Sequence, residues 1–223
     1  MKFRHEVKQE ITYIDMLALR QRLSAVMKKD SHAVDGKYEI RSLYFDTLDD
    51  KALREKIDGV NIREKFRIRY YNGDTSLIKL EKKSKINGLC LKESVNLTVE
   101  QTEAIIKGNY AWMVEHKEPL IREFYIKIKQ GGLRPKTLVD YVREPFIFRP
   151  GNVRITLDYN IRTGMKSVDF LNDACVTVPI ANNPIVLEIK WDEYLPDIIK
   201  DIIQLKNGRI GAFSKYATCR MYD

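Results

Sequence analysis

Histidine, cysteine and proline are scarce in this chain of 223 residues, which holds three, three and seven of them. His5, His32 and His116 are too dispersed for a histidine metal site, so any metal falls to oxygen ligands. Cys90, Cys175 and Cys219 show neither ligand spacing nor a disulfide framework, and are expected as reduced thiols in a cytoplasmic protein. No apolar run approaches the length of a membrane span and no apolar signal core opens the chain, so a soluble protein without direct membrane insertion is expected. A Walker-type glycine loop and the strand-to-helix glycine fingerprint are missing, as is a serine, histidine and acid signature; acyl transfer therefore has no support. With no internal repeat, low-complexity tract or linker, one domain over residues 1–223 is expected.

Charge is what the chain has in quantity: 31% charged residues, a formal net charge of +8 and a pI near 9.2. Such a balance points to an anionic partner, whether nucleic acid, a membrane surface or a small polyphosphate. Placement along the chain narrows the choice. Between Ile62 and Tyr70, Arg63, Lys65, Arg67 and Arg69 share one parity while Ile62, Phe66, Ile68 and Tyr70 share the other. In a strand successive side chains alternate sides, so one surface is basic and the other mostly apolar. The pattern recurs: Lys79, Glu81, Lys83 and Lys85 against Ile78 and Leu80; Arg4, Glu6 and Lys8 against Phe3, His5 and Val7. It returns in Arg154, Thr156 and Asp158 against Val153, Ile155 and Leu157, and in Glu188 and Lys190 against Leu187 and Ile189.

Cations repel one another on a shared face unless a polyanion or water reaches them. Cation-rich faces from distant segments suit an antiparallel sheet closed or strongly curled on itself, ionic inside and apolar outside beneath covering helices. A lumen of that kind suits a phosphate chain and a divalent metal. Specific nucleic-acid recognition is disfavoured, because such modules pair basic groups with exposed aromatics or a recognition helix, whereas these cations lie on strands facing the same way as acids.

The remaining elements follow from periodicity and punctuation. Helices are expected over Asp15–Met27, Asp49–Ile57 with acids in its first turn, the stretch from Thr98 to Gln130, and Leu195–Leu205. Strands are expected at Tyr38–Phe45, in the basic runs, at Leu89–Val95 and through Pro135–Lys190, with breaks at Pro145, Pro150, Gly151 and Asn182 to Pro184. Turns fall at Tyr71 to Asp74 and at Asn87-Gly88, and a short tail ends at Asp223.

Eight ordered fragments carry a family resemblance: Arg4 to Lys8, Arg41 to Thr47, Phe66 to Tyr71, Leu80 to Lys83, Tyr141 to Arg143, Val153 to Asp158, Val186 to Lys190 and Phe213 to Tyr216. Together they resemble the VTC (vacuolar transporter chaperone) domain of polyphosphate polymerases, within the triphosphate tunnel metalloenzyme superfamily. The resemblance implies an α+β fold, an antiparallel closed β-tunnel of about eight strands with helices packed outside. It implies transfer of the ATP γ-phosphate to a growing polyphosphate chain, with Mn2+ or Mg2+ as cofactor.

Arg67 and Arg69 then match the family's paired phosphate-binding arginines, and with Lys83, Arg143 and Arg154 form the candidate catalytic set. Lys8, Lys92, Tyr141, Ser214 and Lys215 are candidate phosphate contacts, and Glu188 is the candidate metal ligand. The residues alone leave alternatives open. Glu188 also suits an ion pair with Lys190; Glu6, Glu81 and Asp158 suit metal binding and ion pairing equally; Tyr141 suits packing; Arg63, Lys65 and Lys79 suit a tunnel mouth. A hydrolase of triphosphate or another phosphoanhydride, or a non-catalytic module binding polyphosphate or inositol phosphates, would use the same tunnel. Eukaryotic relatives carry an inositol-phosphate-sensing domain and membrane helices that are not found here, which implies a separately encoded membrane partner.

Overall fold

The fold, taken from a computed structural model, is described for residues 3–205 and 209–223. Its strands are β1 (His5–Ile11), β2 (Lys28–Lys29), β3 (Tyr38–Asp46), β4 (Arg63–Tyr71), β5 (Asp74–Ile86), β6 (Leu89–Leu97), β7 (Arg134–Phe148), β8 (Val153–Thr163), β9 (Val178–Pro179), β10 (Ile185–Trp191) and β11 (Arg209–Ile210). Helices α1 (Tyr13–Val26), α2 (Lys51–Ile57), α3 (Val99–Ile106), α4 (Pro119–Lys129), α5 (Asp197–Ile202) and α6 (Lys215–Arg220) lie between or after them. All strands join one antiparallel sheet in the order β11-β1-β10-β8-β7-β3-β4-β5-β6, with β2 on β7 and β9 on β8. The eight long strands curl until β6 meets the start of β1, where Arg4 and Cys90 exchange backbone hydrogen bonds of 3.1 Å in each direction. The expected α+β tunnel is the observed architecture.

Local chemistry explains the boundaries. Thr12 with Asp15, and Thr98 with Gln101, form reciprocal capping boxes that satisfy donors at the starts of α1 and α3. Asn72-Gly73 and Asn87-Gly88 supply the paired positive φ angles that tight hairpins need, at 54° and 70° and at 50° and 84°. The apolar parities pack outward. Phe45, Phe66, Ile68 and Leu80 meet Phe124 and Ile121 of α4 and Ile105 of α3, while Ile155, Leu157, Leu187 and Ile189 meet Met16, Leu19 and Leu23 of α1 and Ile199 of α5. Two greasy layers thus flank the tube, and the opposite parities turn inward.

Several expectations need correction. Pro145 does not break β7; it is registered against Thr156 of β8. On its other side it falls between the registered partners of β3, which end at Arg143, and of β2, which begin at Phe146, so no ladder bond is lost there. Residues 164–184 are mostly turns rather than strand, anchored by fully buried Phe170. The expected Leu195–Leu205 helix is only Asp197–Ile202, and the expected tail contains α6, whose six residues are too few to display a period. Helix α2 has no acid in its first turn. It starts after Asp50, which is left-handed at φ 59°, and its leading amides are satisfied by buried Asp46, which accepts from Thr47, Ala52 and Leu53 backbone N–H. The inner surface is also not ionic throughout. Ile40, Val139, Ile161 and Val186 form an apolar cluster with Tyr216 and Cys219 of α6, stopping one part of the tube.

Candidate functional site: a cation-lined tunnel

Strand register brings the inward parities together. Arg67 of β4 stands opposite Glu81 of β5, Lys65 opposite Lys83, Lys83 opposite Lys92 of β6, Lys8 of β1 opposite Glu188 of β10, and Arg143 of β7 opposite Asp158 of β8. The result is a bore holding Lys8, Lys65, Arg67, Arg69, Lys83, Lys92, Arg143, Lys190 and Lys215 against the carboxylates of Glu6, Glu81, Asp158 and Glu188, a marked excess of positive charge.

The carboxylates divide the cations among them. Glu81 takes Arg67 Nε at 2.8 Å and Lys92 Nζ at 2.8 Å, with Arg69 at 3.8 Å. Arg69, only 2% exposed, donates to Ser42 Oγ at 3.1–3.2 Å and to the Tyr141 hydroxyl at 2.8 Å. Arg67 also donates to the Tyr44 hydroxyl at 2.8 Å. Asp158 receives both arms of Arg143 at 2.7 Å and Lys215 Nζ at 2.5 Å, and Lys215 lies 4.6 Å from the centre of the Tyr141 ring. Glu188 pairs with Arg143 at 2.9 Å, Lys190 at 2.8 Å and Lys8 at 3.7 Å; Glu6 pairs with Lys83 at 2.6 Å, Lys190 at 3.5 Å and Lys8 at 3.6 Å.

Burial alone would raise Glu188, but Lys190, Lys8 and Arg143 outweigh it and hold its carboxyl well below the usual carboxylate range. Asp158 is held down at about 2, with Arg143 and Lys215 overcoming its desolvation. Burial opposes the charge of Lys8, yet Glu188 and Glu6 raise its pKa above the ordinary lysine value. Lys83 is lowered, by burial and then by Lys8.

Most of the residues singled out in the sequence therefore converge: Lys8, Arg67, Arg69, Lys83, Lys92, Tyr141, Arg143, Glu188 and Lys215. Two stand apart. Arg154 points to Asp30, 3.2 Å away, with its side chain 39% exposed, so it sits at a rim rather than in the carboxylate network. The hydroxyl of Ser214 caps α6 by accepting from Ala217 N–H at 3.3 Å. Lys79 is registered opposite Arg69, and Arg63 opposite Lys85. Sequence reasoning gave no role to Ser42, Tyr44 or Asp46, although their shared parity in β3 was the available signal; Tyr44 and Ser42 hold the arginine pair, and Asp46 also accepts from the Tyr216 hydroxyl at 2.7 Å.

Among the described residues no group of three or more His, Cys, Asp or Glu forms a ready-made metal cage. Glu6 and Glu188 are near neighbours that share Lys8 and Lys190, and they present hard oxygen donors. This donor set fits a hard divalent cation held by one or two carboxylates and completed by other oxygen ligands, not a resident all-protein site. No helix among the described residues is long and apolar enough to cross a membrane.

This architecture, a curled antiparallel sheet around a basic bore, is that of the triphosphate tunnel proteins. A candidate adenylyl cyclase from Hippeastrum, described with a dominant triphosphatase activity, superposes with a TM-score of 0.58 at 15% identity, covering 99% of this chain and 96% of that one. A candidate adenylate cyclase from Bacillus halodurans gives a TM-score of 0.52 at 13% identity over 85% of this chain and 80% of that one. No curated protein matches in sequence. Within the tunnel class, the VTC domain model matches residues 3–222, and the chain belongs to that family.

Proposed function

We propose that the protein is a polyphosphate polymerase that moves the terminal phosphate of ATP onto a growing phosphate chain inside the tunnel. The observation that carries this reading is the excess of inward cations built around the Arg67 and Arg69 pair. Arginine forks take two oxygens of one phosphoryl group, and Ser42, Tyr44 and Tyr141 fix the planes of both guanidinium groups before any ligand arrives. Lys8, Lys83, Lys190 and Lys215, tethered to carboxylates by flexible stems, neutralise neighbouring phosphates as point charges.

Phosphoryl transfer asks mainly for alignment and charge neutralisation along the in-line path. A terminal phosphate oxygen of the acceptor chain is already anionic and needs no base, which agrees with carboxylates that are all engaged by cations. Glu6 and Glu188 would hold a divalent metal ion, which would supply charge neutralisation at the transferring phosphoryl oxygens. Arg143, shared between Asp158 and Glu188, keeps the Glu188 carboxylate in place.

The second reading is hydrolysis of a triphosphate, favoured by the activity printed for the Hippeastrum protein. Incubation of the purified protein with labelled ATP and Mn2+ separates the two. Long polyphosphate is the expected product; orthophosphate without chain growth would select hydrolysis, and intact ATP across a range of divalent metals would remove both.

A further inference from the structure

One bore cation is not accounted for by the carboxylate network. Lys8, Arg67, Arg69, Lys83, Lys92, Arg143, Lys190 and Lys215 each have an acidic partner within 4 Å. Lys65 has none among the described residues. Its amine instead lies 5.5 Å from the centre of the Tyr44 ring, while the Tyr44 hydroxyl is held by Arg67 at 2.8 Å and its ring stacks on Tyr216 at 5.0 Å. Lys65 also lines a cavity of about 380 Å³, with Lys8, Lys83, Lys85, Lys56 and Ser214 among the other walls. That space admits a phosphate group, and the lysines together with Arg63 outnumber the two carboxylates, Glu6 and Glu64, that also face it.

We propose that Lys65, with Tyr44 behind it, forms a phosphate subsite at this cavity that takes up a proton from solvent as the anion enters. The inference rests on the reading of the tunnel as a phosphate-chain site and adds the way that site is charged. In the bore as it stands, burial and the nearby ammonium and guanidinium groups of Lys83, Lys8 and Arg67 bring Lys65 down to about 7, the phenol of Tyr44 opposing them. Burial alone would raise Tyr44, but Arg67, Lys65 and Arg69 bring it down to about 7 as well. The groups facing the pair are Arg67 and Arg69 from β4, Lys83 from β5, Lys8 from β1 and Tyr216 from α6. An incoming phosphate reverses the local field. It stabilises the Lys65 ammonium directly, so the amine nitrogen gains a solvent proton. The bound anion then meets an ammonium where the empty site held a neutral amine.

The test is titration calorimetry of tripolyphosphate with EDTA present, at pH 8, in two buffers of different ionisation enthalpy. The difference in apparent enthalpy reads the protons taken up. The wild-type protein is expected to take up more protons than Lys65→Arg, by up to one per site, while Lys65→Arg still binds because its charge is permanent. A site at about 7 when free that stays protonated when occupied also makes wild-type affinity fall about tenfold more than that of Lys65→Arg between pH 6 and pH 8. Lys65→Met should lose both the affinity and the proton. Binding with equal proton uptake in wild type and Lys65→Arg would overturn the subsite while leaving the tunnel reading standing. Absence of tripolyphosphate binding by the wild type would overturn both. Thermal unfolding of each variant without ligand confirms that a folded protein is compared.

Discussion

At the scale of single residues, the site depends on side chains that hold other side chains. Arg69 shows this most clearly, since its guanidinium is fixed by Ser42 and Tyr141 rather than by a bidentate carboxylate. Arg69→Lys keeps the charge and loses the fork, and is expected to lower the rate of phosphoryl transfer by at least about tenfold with little change in thermal stability. Steady-state kinetics and a melting curve read the two outcomes. Asp46 is the contrasting case, a buried acid whose partners are backbone amides of α2 and the Tyr216 hydroxyl. Asp46→Ala leaves those donors without a partner and should cost about 3 kcal/mol in denaturant unfolding. Inward arginines and lysines were legible in the sequence because period-two alternation fixes the face of every strand residue. The partners were less legible: Asp30, which draws Arg154 to the rim, lies in a connection where no period exists to assign a direction.

At the scale of elements, strands and capped helices were readable because each is written by a local rule, whether alternation, a capping box or an Asn-Gly turn. Helix α6 was not, because its six residues gain their helical form from Tyr216 and Cys219 packing against the inner wall. Helix α4 illustrates the readable kind. Phe124 is fully buried, stacked on Phe66 at 5.2 Å and edge-on to Phe45 at 4.9 Å. Phe124→Ala is expected to destabilise the protein by about 3–5 kcal/mol, measured by denaturant titration, because it empties the centre of the layer between α4 and the sheet.

At the scale of the whole molecule, electrostatics makes stability rise with pH in two separate windows, one acidic and one alkaline. Asp158, held at about 2 in the fold against a usual value of 3.8, contributes stability that is fully present above pH 4 and lost as pH falls toward 2, about 2 kcal/mol in all. Lys65 and Tyr44 act at the other end. Both are lowered to about 7 from ordinary values of 10.5 and 10.0, so the unfolded chain binds more protons than the fold between pH 7 and pH 10. The ligand-free protein should therefore gain stability from these two groups as pH rises through that window. Thermal unfolding at pH 7 and pH 9, on wild type and on Lys65→Met, measures the contribution: the gain should shrink in the variant. The closed tunnel was legible because ionic faces recur on strands far apart in the chain. The apolar stopper at one part of the bore was not, because Ile40, Val139 and Val186 share a parity with Asp46, Arg143 and Glu188 of the same strands, and Ile161 turns inward only past the irregularity at Asn160.

The join between β6 and the start of β1 rests on the paired amides and carbonyls of Arg4 and Cys90, whereas neighbouring strands elsewhere are registered over several consecutive residues. Among the described residues the cylinder is thus a rolled page with one backbone fastening, backed by the Glu6 and Lys83 pair at 2.6 Å, and not a hoop. Its circumference can grow by parting those two links while every other ladder stays intact, giving a bulky chain a sideways route in or out that a seamless pipe would deny it.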